Sequence, residues 1–204
     1  MSDQVSLSCK HKLRSIGTGG ERMSKELSQW SEAALGVIPN EFYGQTECNL
    51  VVGNSSSSRK VNSIGRPVKD HNVQILLTDR DEVVIAGNGE IGEICVESPD
   101  SVMFLEYLDN PVATRDKYIN TKDGKKWLRM GDSGWKDNDG FFFFESRLDD
   151  VMKISGYRVG PWEVEQCVEK HHLVKSACAI GIPNSDKKGT SVKVFIELKN
   201  NNNK

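Results

Sequence analysis

Short apolar runs alternate with polar turns along this chain, and the spacing of the apolar positions switches between the periods of strands and helices. Residues 13–20 start as a short strand and break into a glycine turn. Met23, Leu27, Trp30 and Ala34 then recur at helical spacing, which predicts a helix with those side chains on one face, ended by Gly36. Residues 37–42 read as a strand entering a turn at Tyr43 and Gly44, and residues 55–58 as a flexible serine loop. Residues 73–77, 83–86 and 90–97 read as strands of an antiparallel β-subdomain. Asp79, Arg80 and Asp81, and Gly87, Asn88 and Gly89, supply its turns. Asn110 followed by Pro111 is a helix start, cap then first position, for a helix reaching about Tyr118. Residues 125–130 and 140–145 form a hairpin around the polar turn 136–139. The unbroken phenylalanines 141–144 imply a strand covered on both faces. Past a boundary near Arg147 comes a small α/β unit. It has a hairpin over 151–159, a helix opened by Pro161, and strands at 176–182 and 191–198. On that helix Val164, Cys167, Val168 and His171 share a face.

Bulk properties narrow the function classes. The 204 residues suffice for one good core or two small ones, and 37% hydrophobic with 27% charged residues describes a soluble globular chain. Net charge is -2, from 27 basic and 29 acidic residues without a Lys/Arg block, so no nucleic-acid partner is expected. No apolar run is long enough to span a bilayer, and the first twelve residues lack the apolar core of a signal peptide. Cys9, Cys48, Cys95, Cys167 and Cys178 are scattered, with no Cys-x-x-Cys pair, which fits a reducing compartment better than disulfides or a zinc site. Residues 200–204 read as an Asn-rich, solvated tail. His171 and His172, expected on opposite sides of a helix, are assigned no function.

The densest chemistry lies in Glu41-Phe42-Tyr43-Gly44-Gln45-Thr46-Glu47, which combines an aromatic ring, a glycine, an amide, a hydroxyl and a carboxylate. Upstream, Gly19-Gly20-Glu21 precedes a helix, where backbone amides can approach an anion, although a glycine-rich turn reads the same way. Downstream, Asp132 sits between Gly131 and Gly134, suited either to vicinal hydroxyls or to an ordinary Asx-turn. The Arg147 fork suits phosphate or ribose oxygens, or a surface ion pair with Asp149 or Asp150. Lys153-Ile154-Ser155-Gly156-Tyr157-Arg158 completes the series, its glycine equally readable as a hairpin turn and its lysine as a solvated strand residue.

Taken in order, these motifs make the chain resemble the adenylate-forming, AMP-binding enzymes, and among them the medium-chain acyl-CoA synthetases. The match runs from about Leu13 to Leu198. The resemblance implies a mixed α/β fold in two parts. Residues 1–146 are the end of a large adenylation domain that includes its antiparallel β-subdomain, and residues 147–199 are a truncated small α/β C-terminal domain. It implies activation of a carboxylate by ATP to an acyl-adenylate, then capture by coenzyme A as a thioester, with Mg2+ required. Nucleotide contacts carry over to Gly19, Gly20, Glu21, Tyr43, Gly44, Gln45, Thr46, Asp132 and Arg147. Tyr43 packs on adenine, Thr46 binds the α-phosphate, Glu47 ligates the metal, and Asp132 holds the ribose. Asp149 is the hinge residue, Ser155, Gly156 and Arg158 face coenzyme A, and Lys153 assists the second step, so Thr46, Glu47 and Lys153 are the catalytic candidates.

Two family features have no counterpart in these residues: the Ser/Thr/Gly-rich phosphate loop and the late adenylation lysine. The isolated chain is therefore expected to turn over little or nothing and to work with a partner chain supplying the missing half. Gly44 stands where acetate-specific relatives carry Trp, which points to a longer acid, a medium-chain fatty acid. An aryl-CoA ligase, a carrier-loading domain and a non-catalytic binding module stay open as alternatives. The expected compartment is the cytoplasm, with the mitochondrial matrix as alternative.

Overall fold

The computed structural model describes residues 12–154, 157–183 and 190–199. They divide into two units, the first formed by 12–130 with Trp135–Phe144 and the second by Gly131–Gly134 with the residues from Glu145 onward. The architecture is mixed α/β with mainly antiparallel sheets.

The first unit opens with β1 (Gly17–Thr18), α1 (Lys25–Leu35) and β2 (Asn40–Gln45), in which β1 and β2 are parallel. Ser24 caps α1 by accepting the Leu27 amide at 3.1 Å, and Gly36 closes it in the left-handed conformation. The expected apolar face is not buried. Leu27 is 49% and Trp30 52% exposed, and the buried helical residue is Ser31, whose hydroxyl donates to the Val37 carbonyl at 3.0 Å. β3 (Asn49–Gly53) and β4 (Arg66–Pro67) complete a four-stranded sheet in the order β1-β2-β3-β4.

The second sheet of this unit contains β5 (Val73–Leu77), β6 (Val84–Ile85), β7 (Gly92–Ser98), β8 (Tyr118–Asn120), β9 (Lys126–Lys136) and β10 (Phe142–Arg147). Its order is β10-β9-β7-β5-β6, with β8 on β9. Strand alternation sorts its side chains to two faces. Ile75, Ile94, Val96, Leu128, Met130 and Phe142 join Val51, Val52 and Ile64 in the main core, while Leu76, Cys95 and Trp127 form a second cluster. Glu93, with a side chain 1% exposed, takes both its oxygens to the Arg129 guanidinium at 2.8–3.2 Å. Such a buried pair costs desolvation and is tolerated because the fork geometry repays it. The phenylalanine run is covered on both faces as expected. Phe142 and Phe144 meet the core, Phe143 stacks on Trp135 at 4.1 Å, and Phe141 lies under the Arg66 guanidinium at 4.2 Å.

Three local expectations change. α2 (Pro111–Asp116), capped by Asn110 as expected, stops before Tyr118, which belongs to β8. β9 does not end at Met130 in a tight turn; it continues through Asp132 to Lys136. The turn after it, 137–140, is organised by Asp137, whose carboxylate accepts the Asp139 and Phe141 amides, each at 2.9 Å.

The second unit contains Gly131–Gly134 from the middle of β9 and the end of β10 from Glu145, then β11 (Met152–Ile154), β12 (Tyr157–Val159), α3 (Pro161–Glu169), β13 (Val174–Pro183) and β14 (Thr190–Leu198). β11 with β12 and β13 with β14 are antiparallel pairs. Glu163 reaches back to the Gly160 amide at 3.3 Å to secure the start of α3. The His171 and His172 rings lie beyond the end of α3 and stack 4.7 Å apart, so they do not take opposite sides of a helix. The tail at 200–204 lies outside the described residues. Among the described cysteines Cys48 and Cys95 are buried and Cys167 and Cys178 exposed, all as free thiols. No helix among the described residues is long and apolar enough to cross a membrane.

Candidate functional site

In the first unit, Tyr43 and Gly44 do not form the expected turn; β2 runs on to Gln45, and the turn comes at 46–48. The β2–β3 register slips between Tyr43, opposite Val52, and Gly44, opposite Leu50. The bulge requires a glycine for close approach, since a Cβ at position 44 would lie 1.8 Å from the Asn49 carbonyl oxygen. Strand alternation then divides the motif. Gly20, Phe42, Gly44, Gln45, Thr46 and Val102 line one hollow of about 520 Å³. Tyr43 faces the other way and packs, half-buried, on the main core. The Phe42 ring lies against the glycine loop, where a Cβ on Gly19 would meet it at 2.5 Å. Glu21 is exposed. Gln45 Nε2 donates to Met130 Sδ at 2.9 Å, tying the motif to the core of the second sheet.

Glu47 follows Thr46 in the turn and is held by residues that the motif reading did not single out. Its carbonyl accepts the Phe104 amide at 2.7 Å. On the side chain, Oε1 accepts the Tyr107 hydroxyl, and the Lys117 ammonium stands 3.8 Å from the same oxygen. Tyr107 packs on Phe104 with ring centroids 4.9 Å apart, and Phe104 stacks on Tyr118. Burial, and then the hydrogen bond and charge of Glu47, push the Tyr107 phenol up to about 12, so it remains a donor at physiological pH. The one signal available beforehand was the aromatic spacing of Phe104 and Tyr107 just ahead of the Asn110-Pro111 helix start.

Magnesium takes hard oxygen ligands and needs few protein carboxylates where phosphate supplies the remainder. The Glu47 carboxylate and the adjacent Thr46 hydroxyl are oxygens of that kind. Among the described residues no group of three or more His, Cys, Asp or Glu side chains could hold a metal unaided. Two oxygens of this kind hold a bare divalent cation only weakly, in the millimolar range, and bind it better when it brings phosphate ligands of its own.

In the second unit, Gly131 has φ 73° and turns the backbone of β9 beside the Arg147 guanidinium. Asp132, next along, is buried, with Oδ1 3.2 Å from Arg147 Nη1. The same guanidinium holds Asp149 through Nε and Nη2, each at 3.0 Å. The Asp149 hydrogen bond, with the charges of Asp132, Asp149 and Asp150, raises the Arg147 pKa well above its ordinary value. The Leu148 amide donates to the Gly131 carbonyl at 2.9 Å, and the Ser133 hydroxyl meets that of Ser146 at 3.0 Å. Lys153, on β11, is exposed and pairs in register with Arg158 on β12. Ser155 and Gly156 lie outside the described residues.

Residues 2–108 match the family described as AMP-binding enzyme. An uncharacterized acyl–CoA ligase of Bacillus subtilis, YtcI, is 33% identical over 92% of this chain and 34% of its own length. The mitochondrial acyl-coenzyme A synthetase ACSM3 of Rattus norvegicus is 35% identical over 91% of this chain and 31% of its own. Among solved structures, the anthranilate CoA ligase AuaEII in complex with anthranoyl-AMP superposes with a TM-score of 0.74 at 27% identity, covering 93% of this chain and 35% of that one. The chain thus spans about a third of the length of the relatives it matches. A family match over just over half of the 204 residues, continued by relatives that align with nine-tenths of them, leaves one assignment: the chain belongs to the AMP-binding enzymes, the adenylate-forming family that includes the acyl-CoA ligases.

Proposed function

We propose that this chain is the nucleotide-handling portion of an AMP-forming acyl-CoA synthetase. The observation that carries the reading is the hollow where Gly20, Gly44, Gln45 and Thr46 come together, with Thr46 followed in the turn by Glu47, whose carboxylate is braced by Tyr107. In this reading Gly19, Gly20 and Glu21 flank the nucleotide, Gly44 and Gln45 shape its adenine side, Thr46 donates to the α-phosphate, and Glu47 ligates magnesium, while Tyr43, turned toward the core, backs that wall rather than packing on adenine. Bound magnesium supplies charge neutralisation at phosphate; the protein's share is to orient the nucleotide and the carboxylate acid. Asp132, a buried carboxylate with Oδ1 3.2 Å from Arg147 Nη1, suits the vicinal hydroxyls of ribose. Residues 1–146 then belong to the adenylation domain and 147–199 to the mobile C-terminal one, with Asp149 as hinge. Lys153, Ser155, Gly156 and Arg158 serve the coenzyme A step.

The acid we propose is a medium-chain fatty acid, supported by the missing side chain at Gly44 and by kinship with acyl-coenzyme A synthetases. An aryl acid is the second reading, favoured by the likeness to an anthranilate CoA ligase. The 204 residues alone are proposed to bind nucleotide without turning over, to work with the remainder of a synthetase, and to act in the cytoplasm or the mitochondrial matrix.

Calorimetric titration with AMP tests the core of this reading. Saturable binding is expected, weakened about tenfold or more by Asp132→Ala, the scale of a lost hydrogen bond to a charged acceptor. No binding at millimolar AMP favours a non-catalytic module instead.

A further inference from the structure

The Glu47 side chain sits between two groups that pull on it differently. Tyr107 donates its hydroxyl to Oε1, and its ring is held by Phe104, which Tyr118 stacks from the other side. Thr114 and Asn110 fix the same stretch from the next helix start, since the Tyr107 amide donates to Thr114 Oγ1 at 2.9 Å and Thr114 Oγ1 donates to the Asn110 carbonyl at 3.0 Å. Lys117, one residue past α2, points its ammonium at Oε1 from 3.8 Å, with three-quarters of its side chain removed from solvent. A carboxylate so placed cannot swing to another rotamer without losing the phenol. Its charge is also balanced locally by a cation that carries no phosphate.

We propose that Tyr107 and Lys117 are opposed positioning residues for the Glu47 carboxylate, the phenol presenting it to a divalent cation and the ammonium competing with that cation for it. The proposal rests on Glu47 being the metal-binding carboxylate of the proposed function. Neither residue touches the reacting atoms. The phenol restricts the carboxylate to one orientation, so an incoming cation finds its ligand already placed. The ammonium stands where it repels a second positive charge. At such separations, in partly buried surroundings, the repulsion is strong enough to set affinity. Removing the two groups must therefore move cation affinity in opposite directions, which loss of structure would not do.

The test is a manganese(II) titration of the whole 204-residue chain, followed by the electron paramagnetic resonance signal of free Mn2+, without nucleotide. Tyr107→Phe keeps the ring in its stack and should weaken Mn2+ binding about threefold or more, the scale of one hydrogen bond. Lys117→Met should tighten it about threefold or more, and Lys117→Arg, which keeps the charge, should leave it within twofold of the starting chain. Thermal melts of the three variants show whether each is folded. If Lys117→Met proves poorly folded, Lys117→Gln takes its place with the same expectation. Weakening by both substitutions, or no change in either, overturns the proposal, as does a starting chain that takes up no Mn2+ at millimolar concentration. The AMP titration reads the nucleotide site separately. AMP binding without these Mn2+ effects removes the positioning roles and leaves the nucleotide reading standing; the Mn2+ effects without AMP binding do the reverse.

Discussion

Glu41 opens the motif and carries a carboxylate into a buried position at the start of β2. Burial raises its pKa, and the Met23 amide and the charge of Arg22 offset this only in part. The sign of the linkage follows. A carboxyl group whose folded pKa lies above its ordinary value of 4.5 costs nothing while protonated. It destabilises the fold progressively as pH rises through the folded pKa. Glu41→Gln keeps an acceptor for the Met23 amide and has no proton to lose. It should therefore stabilise the chain at pH 8 by on the order of 1 kcal/mol, with the gain shrinking toward pH 4, as read by urea denaturation at both values. A gain independent of pH refutes the assignment. Residues of the motif were legible in the sequence as types, but their directions were not. Gly44 reads as room for a ligand, yet its absent side chain also answers the Asn49 carbonyl across a bulge that no local pattern announces. Tyr107 and Lys117 went unread because their partner, Glu47, lies 60 residues from the first of them.

Among the elements, the ends marked by chemical punctuation were the ones read correctly. Gly36 closes α1, Asn110 and Pro111 open α2, and Pro161 opens α3. Strand extents were harder, because β9 continues through two glycines and two polar residues that look like a turn when taken alone. Its continuation is set by pairing with neighbours distant in sequence, which local propensity cannot contain. α3 adds a use of helix side chains that its apolar spacing did not suggest. Its glutamates serve the adjacent strand: Glu165 Oε1 accepts the Ala179 amide at 2.8 Å, and Glu169 Oε1 accepts the Ala177 amide at 3.0 Å. Residues i and i+4 on one helix face thus satisfy alternate amides along one edge of β13, an edge that would otherwise present open donors. Glu165→Ala should cost about 1–2 kcal/mol, the expense of an unsatisfied, partly buried amide, and should speed exchange of the Ala179 amide by at least tenfold. Unchanged exchange at Ala179 would mean that the contact carries no weight.

At the scale of the whole molecule, family membership comes from ordered motifs, whereas stability is set by where apolar surface is buried. The two units differ sharply there. The first packs Ile75, Ile94, Val96, Leu128, Met130 and Phe142 into a continuous core, with Trp127 covered on the opposite sheet face. In the second, the buried apolar side chains among the described residues are Met152, Val174 and Ala179, while Tyr157, Trp162, Phe195, Ile196 and Leu198 stay substantially exposed. Hydrophobic burial is the main term opposing chain entropy, so a unit burying so little should open more often than its neighbour. Thr46 and Glu47 lie in the well-packed unit, and Asp132 and Arg147 in the other. Hydrogen exchange followed by mass spectrometry should show amides of β5, β7 and residues 126–130 exchanging slowest, with those of β13 and β14 faster by about tenfold or more. AMP should slow exchange around Asp132 and Leu148 more than around Ile75, because a ligand that binds only the closed form stabilises most what opens most readily. If β13 and β14 proved as protected as Ile75 and Ile94, the shortage of buried apolar surface would not be governing the second unit, and its exposed Phe195, Ile196 and Leu198 would have to be covered in solution.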